Sequence, residues 1–226
     1  MNGPPIVLAA HGTRHAPGNA VAADLAALVA ARSGRPARAA YLELAAPLLD
    51  DVLASAPDGT VVVPLLLSGG IHLRHDLPHA VAQADGRARL AAALGPDRRL
   101  ARVQAARLDA VGARRGDPVV LLAAGSTDPC VDADLARAAE LLAQEWDAPV
   151  AVASLSGRGP RLAEVARPGM PVATYLLAEG HFARRARAEA RAVDAGPVTQ
   201  VLGPDPLVAE LALARAAALP ALLAVG

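Results

Sequence analysis

Short runs of apolar residues alternate along the chain with Ala/Leu-rich stretches whose apolar residues recur at helical spacing. Val21–Arg32 and Asp132–Trp146 show the helical spacing most clearly. The runs that predict strands are Pro5–Ala10, Arg38–Leu42, Thr60–Leu67, Leu100–Val103, Val119–Ala124, Val150–Leu155, Pro171–Leu177 and Thr199–Leu202. Strands that alternate with helices predict an α/β fold, with parallel sheets flanked by helices.

The pattern of the first half recurs in the second half. Ile6–Thr13 aligns with Val119–Ser126, and each is followed by a polar loop and an Asp-Leu-Ala sequence. Further along, Leu66–Gly70 aligns with Leu176–Gly180. We therefore expect two similar lobes from an internal duplication, residues 1–112 and 113–226. Ligands of such folds bind beyond the carboxyl ends of the strands, and a cleft between two lobes is the default site.

Composition narrows the class of protein. Of 226 residues, 54% are hydrophobic and 19% charged, and 22 Lys and Arg balance 22 Asp and Glu. A chain without net charge argues against a general nucleic-acid binder. The single cysteine, Cys130, cannot form an internal disulfide, and the sequence has neither a signal peptide nor a membrane-spanning stretch. These features predict a cytoplasmic protein with no membrane or nucleic-acid partner.

Three residues with metal-binding side chains stand where predicted strands end. His11 follows the first strand, Glu43 the second, and His72 the third. The carboxyl ends of parallel strands share one edge, so these side chains can converge there. Two imidazoles and a carboxylate suit Fe²⁺, Co²⁺, Ni²⁺ or Zn²⁺. Three protein ligands also leave positions open for water or substrate, as in catalytic sites.

Three motifs around these residues resemble the class II chelatases. They are His-Gly-Thr-Arg from position 11, Tyr-Leu-Glu from position 41, and Pro-Leu-Leu-Leu-Ser-Gly-Gly-Ile-His-Leu-Arg-His-Asp-Leu-Pro from position 64. The match is to the two-lobe sirohydrochlorin chelatases of sirohaem and cobalamin synthesis. The resemblance implies that His11 and His72 are the metal-binding, catalytic histidines, with Glu43 near the metal as a ligand or proton relay.

The second half lacks this residue set. The equivalents of the three candidate ligands are Ala124, Ser156 and Phe182. We therefore expect residues 1–112 to carry the metal site and residues 113–226 to form the opposite wall of the cleft. His181, one position early, remains open as a metal ligand, a substrate contact or a helix-start residue.

The resemblance also implies the substrates. Sirohydrochlorin is a planar tetrapyrrole with eight carboxylates, for which bidentate Arg is the best partner. The predicted substrate-binding residues are Arg14, Arg74, Arg184, His181 and Gly70, the last because a glycine lets a flat ligand approach. The metal, Fe²⁺ or Co²⁺ with Ni²⁺ as a further candidate, is a substrate, and no permanently bound cofactor is expected. We expect a monomer or weak homodimer.

The predicted function is ATP-independent insertion of Fe²⁺ or Co²⁺ into sirohydrochlorin, since no G-x-x-x-x-G-K-[ST] motif is present. The alternative is a non-catalytic carrier or binding protein for divalent metals that uses the same His/Glu/His site. A histidine phosphatase is disfavoured because it would need Arg directly before His11, where the chain has Ala10. A two-lobe binding protein for small ligands is disfavoured because such proteins are usually exported.

Overall fold

The computed structural model of the chain describes residues 3–70 and 75–219. The strands in these ranges are β1 (Ile6–Ala10), β2 (Ala37–Tyr41), β3 (Thr60–Pro64), β4 (Ala88–Leu90), β5 (Val119–Ala123), β6 (Val150–Ser154) and β7 (Val172–Tyr175). The helices are α1 (Ala16–Ser33), α2 (Leu49–Ala54), α3 (Leu77–Ala82), α4 (Arg98–Ala110), α5 (Cys130–Trp146), α6 (Leu162–Val165), α7 (His181–Ala192) and α8 (Pro206–Ala217). Within the same ranges, no helix has the length and apolar character needed to cross a membrane.

The first sheet is parallel, with the strand order β2-β1-β3-β4. Its two central strands are built almost entirely from buried aliphatic residues, because side chains point to both faces and each face carries helices. Val7, Ala9 and Val62 pack beneath α2 and α3. On the other face, α1 contacts β1 and β2, and α8 contacts β3.

The second sheet is a shorter parallel sheet with the order β6-β5-β7. Val120, Leu122 and Val172 pack against α6 and α7. Helix α5 contacts β6 and α4 contacts β7, and the two helices contact each other. The predicted α/β class, with two similar lobes of parallel strands flanked by helices, is therefore confirmed.

The two compact units are not contiguous in sequence. The first contains the described residues up to Leu66, those from position 75 to Leu94, and those from Pro206 onward. The second contains Leu67–Gly70 and Gly95–Asp205. This division differs from the predicted boundary after residue 112, because α4 belongs to the second unit and α8 to the first. Hydrophobic patterning along the sequence does not indicate which sheet a helix will cover.

Helix α8 is fixed to the first unit by apolar and polar contacts. Val208 and Leu211 are fully buried. Arg215 donates hydrogen bonds to the carbonyl oxygens of Ala93 (2.8 Å) and Leu94 (2.9 Å). Glu210 forms an ion pair with Arg32 of α1. The unit that begins with β1 is therefore completed by a helix more than 100 residues further along the chain.

The duplication is visible in the turns that follow β1 and β5. Gly12 (φ +94°) and Gly125 (φ +83°) both have a left-handed backbone. A Cβ atom on Gly12 would lie 1.8 Å from the carbonyl oxygen of Glu43, and one on Gly125 would lie 2.0 Å from that of Ser156. No side chain fits at either position. The two turns are therefore equivalent, as the sequence alignment predicts.

Two predicted strands are absent from the described structure. Leu100–Val103 lies inside α4, whose N-cap Asp97 accepts a hydrogen bond from the Arg99 amide at 2.9 Å. The apolar positions of this segment belong to a helical face, which a four-residue window cannot distinguish from a strand. Thr199–Leu202 runs beside β7 but forms no strand, and the bridge there joins Val172 to Val198. Conversely, the sequence pattern did not indicate β4, which has only three residues.

Candidate active site

His11 and Glu43 meet because parallel pairing continues just beyond β1 and β2. The Leu42 amide donates to the Ala10 carbonyl at 3.0 Å, and the Glu43 amide donates to the His11 carbonyl at 3.1 Å. The side chains then approach, with His11 Nε2 3.1 Å from Glu43 Oε1. The imidazole is 43% exposed and the carboxylate side chain 53% exposed, so a ligand can reach both. The predicted proximity of these two residues is present in the structure.

A set of hydrogen bonds fixes the turn that carries His11. Asn19 of α1 accepts from the Thr13 amide (3.0 Å) and donates to the Thr13 carbonyl (2.7 Å). The Tyr41 hydroxyl donates to the Asn19 carbonyl at 2.8 Å. Burial raises the pKa of Tyr41, which keeps its hydroxyl protonated as a donor. Sequence reasoning missed Asn19 and Tyr41 as supports of the site.

A polar cavity of about 510 Å³ opens beside Glu43 in the first unit. Its polar lining comprises Glu43, Asp50, His75, Asp76 and His79. The last three residues lie at the start of α3, which begins at Leu77 with Asp76 as its N-cap. The cavity therefore presents imidazole and carboxylate side chains to solvent beside Glu43.

His72 and Arg74 lie outside the described residues, so their predicted roles stay predictions. Among the residues that the structure describes, no three His, Cys, Asp or Glu side chains are grouped so as to hold a metal ion. Gly70 is described, and a Cβ added there would meet no atom within 4 Å. The glycine is therefore not required by packing, and open space lies on that side of the backbone.

The remaining predicted substrate residues are accessible. Arg14 is exposed directly after the His11 turn. In the second unit, His181 is the first residue of α7 and packs edge-on against Phe182, and Arg184 is exposed one turn of the helix further on. None of these observations assigns a ligand to the three residues. Their role in binding substrate stays a prediction.

In the second unit, Ala124 and Ser156 occupy the positions equivalent to His11 and Glu43, and hydrogen bonds join them. The Ser156 amide and Ser156 Oγ both donate to the carbonyl oxygen of Ala124, at 2.9 and 2.7 Å. The alignment of Pro47 with Pro160 also holds, since Pro47 accepts from the Tyr41 amide and Pro160 from the Ser154 amide. This turn has kept its backbone conformation without an imidazole or a carboxylate.

Comparison with known proteins agrees with the fold and the motifs. Residues 5–111 match the family model CbiX. Among solved structures, SirB from Bacillus subtilis with Fe³⁺ has a TM-score of 0.80 at 23% identity, covering 93% of each chain. The sirohydrochlorin chelatase SirB from Bacillus subtilis subspecies spizizenii, in complex with cobalt, has a TM-score of 0.79 at 23% identity over 94% of this chain and 93% of that chain.

A third structure is similar along its whole length. It is CbiX, described as the terminal enzyme for biosynthesis of siroheme in denitrifying bacteria, with a TM-score of 0.73 at 22% identity over 96% of this chain and all of that chain. A search of curated proteins gave no match. The predicted resemblance to the class II chelatases is confirmed as a similarity: residues 5–111 match the CbiX family model, and the chain shares the fold of the SirB and CbiX structures.

Proposed function

We propose that the protein is a sirohydrochlorin chelatase that inserts Fe²⁺ or Co²⁺ into its tetrapyrrole substrate without ATP. The observation that carries this proposal is the His11–Glu43 pair, 3.1 Å apart and open to solvent at the ends of β1 and β2. The CbiX match over residues 5–111 supports it, because the pair lies inside the matched region.

The pair provides the two kinds of chemistry that metal insertion requires. The reaction removes water from the metal and two protons from the pyrrole nitrogens. An imidazole nitrogen and a carboxylate oxygen at this separation can bind one cation together. A neutral imidazole can also accept a proton. We assign His11 to both roles, Glu43 to the role of ligand or proton relay, and His72 to the role of third ligand.

The acidic substrate needs cationic partners on the protein. Arg14 follows the His11 turn and is exposed, as is Arg184 in the second unit. Guanidinium groups form paired hydrogen bonds with carboxylates, so both fit the propionate and acetate side chains of sirohydrochlorin. We assign Arg14, Arg74 and Arg184 to this recognition, with His181 and the open face of Gly70 as further contacts.

The test is an anaerobic assay with sirohydrochlorin and either Co²⁺ or Fe²⁺, which follows the loss of absorbance of the metal-free ring. His11→Ala and His72→Ala should each lower the rate by about 100-fold or more, as expected when a proton acceptor and ligand is lost. Glu140→Gln provides a matched control, because Glu140 is an exposed acid paired with Arg137 on α5. This variant should react at the wild-type rate.

The outcomes separate the candidate functions. No acceleration over the protein-free control with either metal would contradict the proposal, and tight Co²⁺ or Fe²⁺ binding without insertion would identify a metal carrier. If insertion occurs, the faster metal indicates the pathway: Fe²⁺ for sirohaem, Co²⁺ for cobalamin.

A further inference from the structure

The loop between β2 and α2 exposes apolar side chains directly after Glu43. Among the residues that the structure describes, three large hydrophobic side chains are exposed, and two of them lie in this loop, Leu44 (49%) and Leu48 (41%). The residues Ala46 and Pro47 between them are exposed as well. Exposed apolar residues that lie together and are rimmed by polar groups often mark a binding surface.

The backbone of this loop is strained at Leu44. The Ala45 amide donates to the Glu43 carbonyl at 2.8 Å, which closes a three-residue turn, and Leu44 at its centre has a φ of +64°. A γ-turn with a positive central φ is the rare and strained form. Bulky residues seldom adopt this conformation, and such strain is concentrated at functional sites. Position 44 therefore holds a leucine at a cost in stability that a glycine would avoid.

The second half of the duplication has a glycine at the same point. Gly157 is equivalent to Leu44, and its φ is +65°. A Cβ atom on Gly157 would lie 2.2 Å from the Ser126 carbonyl oxygen, so the backbone of its own unit covers this position. The same backbone conformation thus holds a covered glycine in the second unit and an exposed leucine in the unit that has the His11–Glu43 pair.

Leu48 shows the same contrast with its equivalent, Arg161. The chain returns at Leu48 to the end of β2, where it forms a bridge with Tyr41. In the second unit, the Arg161 guanidinium donates to the carbonyl oxygens of Ser154 (3.0 Å) and Gly157 (2.8 Å). A side chain that closes its own loop by hydrogen bonds therefore stands where the first unit exposes a leucine.

We infer that Leu44 and Leu48 form an apolar contact for the ring of the tetrapyrrole substrate, next to the carboxylate of Glu43. The inference rests on the proposed function, since it takes sirohydrochlorin as the occupant of this surface. The faces of the planar ring are apolar and its carboxylates lie at the periphery, so the ring needs apolar partners in addition to arginines. The contact is the same before and after metal insertion and contributes to substrate affinity, not to the chemical step.

The experiment compares Leu44→Gly and Leu48→Ala with the wild type. The readouts are the Kd of metal-free sirohydrochlorin from its fluorescence, KM and kcat for its metallation, Co²⁺ affinity, and melting temperature. Leu44→Gly should raise Kd and KM by about 5- to 10-fold and leave kcat and Co²⁺ affinity unchanged. Its melting temperature should equal or exceed that of the wild type, because glycine relieves the strain. A leucine with only a structural role would instead lower the melting temperature when removed.

Two further variants serve as controls. Leu44→Met should restore the affinity for the ring, because it keeps an apolar side chain of similar size. Asp85→Gly changes another exposed residue of the first unit that has a left-handed backbone, with a φ of +49°. Asp85 lies after α3, outside the loop between β2 and α2, so this variant should leave the Kd of sirohydrochlorin unchanged. Leu48→Ala should raise that Kd in the same direction as Leu44→Gly.

A wild-type Kd and KM in Leu44→Gly would overturn the inference. A loss of Co²⁺ affinity in this variant would also overturn it, because the change would then act through Glu43. If replacing the leucines converted a dimer into a monomer without changing the Kd of the ring, the leucines would belong to a contact between two copies of the chain. If the wild type binds the ring but inserts no metal, the proposed function fails, and the same titrations still decide whether the leucines contact the ring.

Discussion

Gly12 allows the close backbone contact that places Glu43 beside His11. Its φ of +94° and the position of the Glu43 carbonyl oxygen, 1.8 Å from where a Cβ would lie, exclude any other residue without movement. Movement of that carbonyl would separate Glu43 from His11, because the Glu43 amide donates to the His11 carbonyl. The stability of the turn and the geometry of the His11–Glu43 pair therefore both depend on the absence of a side chain at Gly12.

We predict that Gly12→Ala lowers both stability and Co²⁺ affinity, whereas Gly125→Ala lowers stability alone. Each forces an alanine into a left-handed turn against a carbonyl oxygen, for a cost of about 1–3 kcal/mol. Gly86→Ala is the control, because its φ is +78° but a Cβ there would meet no atom within 4 Å. Urea unfolding and Co²⁺ titration measure the two effects. Unchanged Co²⁺ affinity in Gly12→Ala would contradict the link between the turn and the pair.

Among individual residues, the sequence predicted those with metal-binding side chains but not those whose hydrogen bonds hold them in place. His11 and Glu43 could be found because each follows a recognisable apolar strand. Asn19 and Tyr41 could not, since the bond between them joins residues 22 positions apart and uses a backbone carbonyl. In the sequence, Asp134 is marked only by the repeated Asp-Leu-Ala, and its hydrogen bond with the Gly69 amide depends on tertiary structure.

Among the secondary-structure elements, α4 is one whose apolar pattern predicts a strand although its N-cap residue favours a helix. Its four residues Leu100–Val103 have a strand-like composition, but Asp97 begins a helix by accepting from the Arg99 amide. The buried positions Leu100, Val103 and Leu108 then fall on one helical face. The strands of four or five residues were predictable because most of their residues are apolar. The three-residue strand β4, with Arg89 between Ala88 and Leu90, was not predictable.

We predict that Asp97→Ala destabilises the protein by about 1 kcal/mol through loss of the N-cap, and that Asp97→Ser retains most of the stability. Thermal unfolding measures the change. Asp58→Ala, at an exposed position in the loop before β3, should leave the melting temperature unchanged. Equal melting temperatures for Asp97→Ala and the wild type would show that other contacts alone hold α4.

For the whole molecule, the division into units depends on α8. This helix follows the second unit in sequence but buries Leu211 in the first. The repeat was visible in the sequence, because it rests on motifs with matching order. The sequence does not show to which unit α4 and α8 belong, because an apolar helical face can pack on either sheet.

We predict that Leu211→Ala destabilises the first unit by about 2–5 kcal/mol, as expected when a fully buried leucine leaves a cavity. Hydrogen exchange of backbone amides locates the effect: β1 and β3 should lose protection, while β5 and β7 keep theirs. Leu142→Ala on α5, also fully buried, is the matched variant for the second unit and should give the reverse pattern. If either variant lowered the protection of amides equally in both sheets, the division into two units would be contradicted.

The placement of α8 has a consequence for biosynthesis. A ribosome releases β1, His11 and the rest of the first sheet long before it releases Leu211, because the whole second unit is translated in between. Domains commonly fold in the order in which they emerge. We expect the reverse order here, because the unit that holds the His11–Glu43 pair includes residues from position 206 onward, which emerge after the whole second unit. A nascent chain should therefore complete the unit that holds the His11–Glu43 pair only after α8 has left the ribosome.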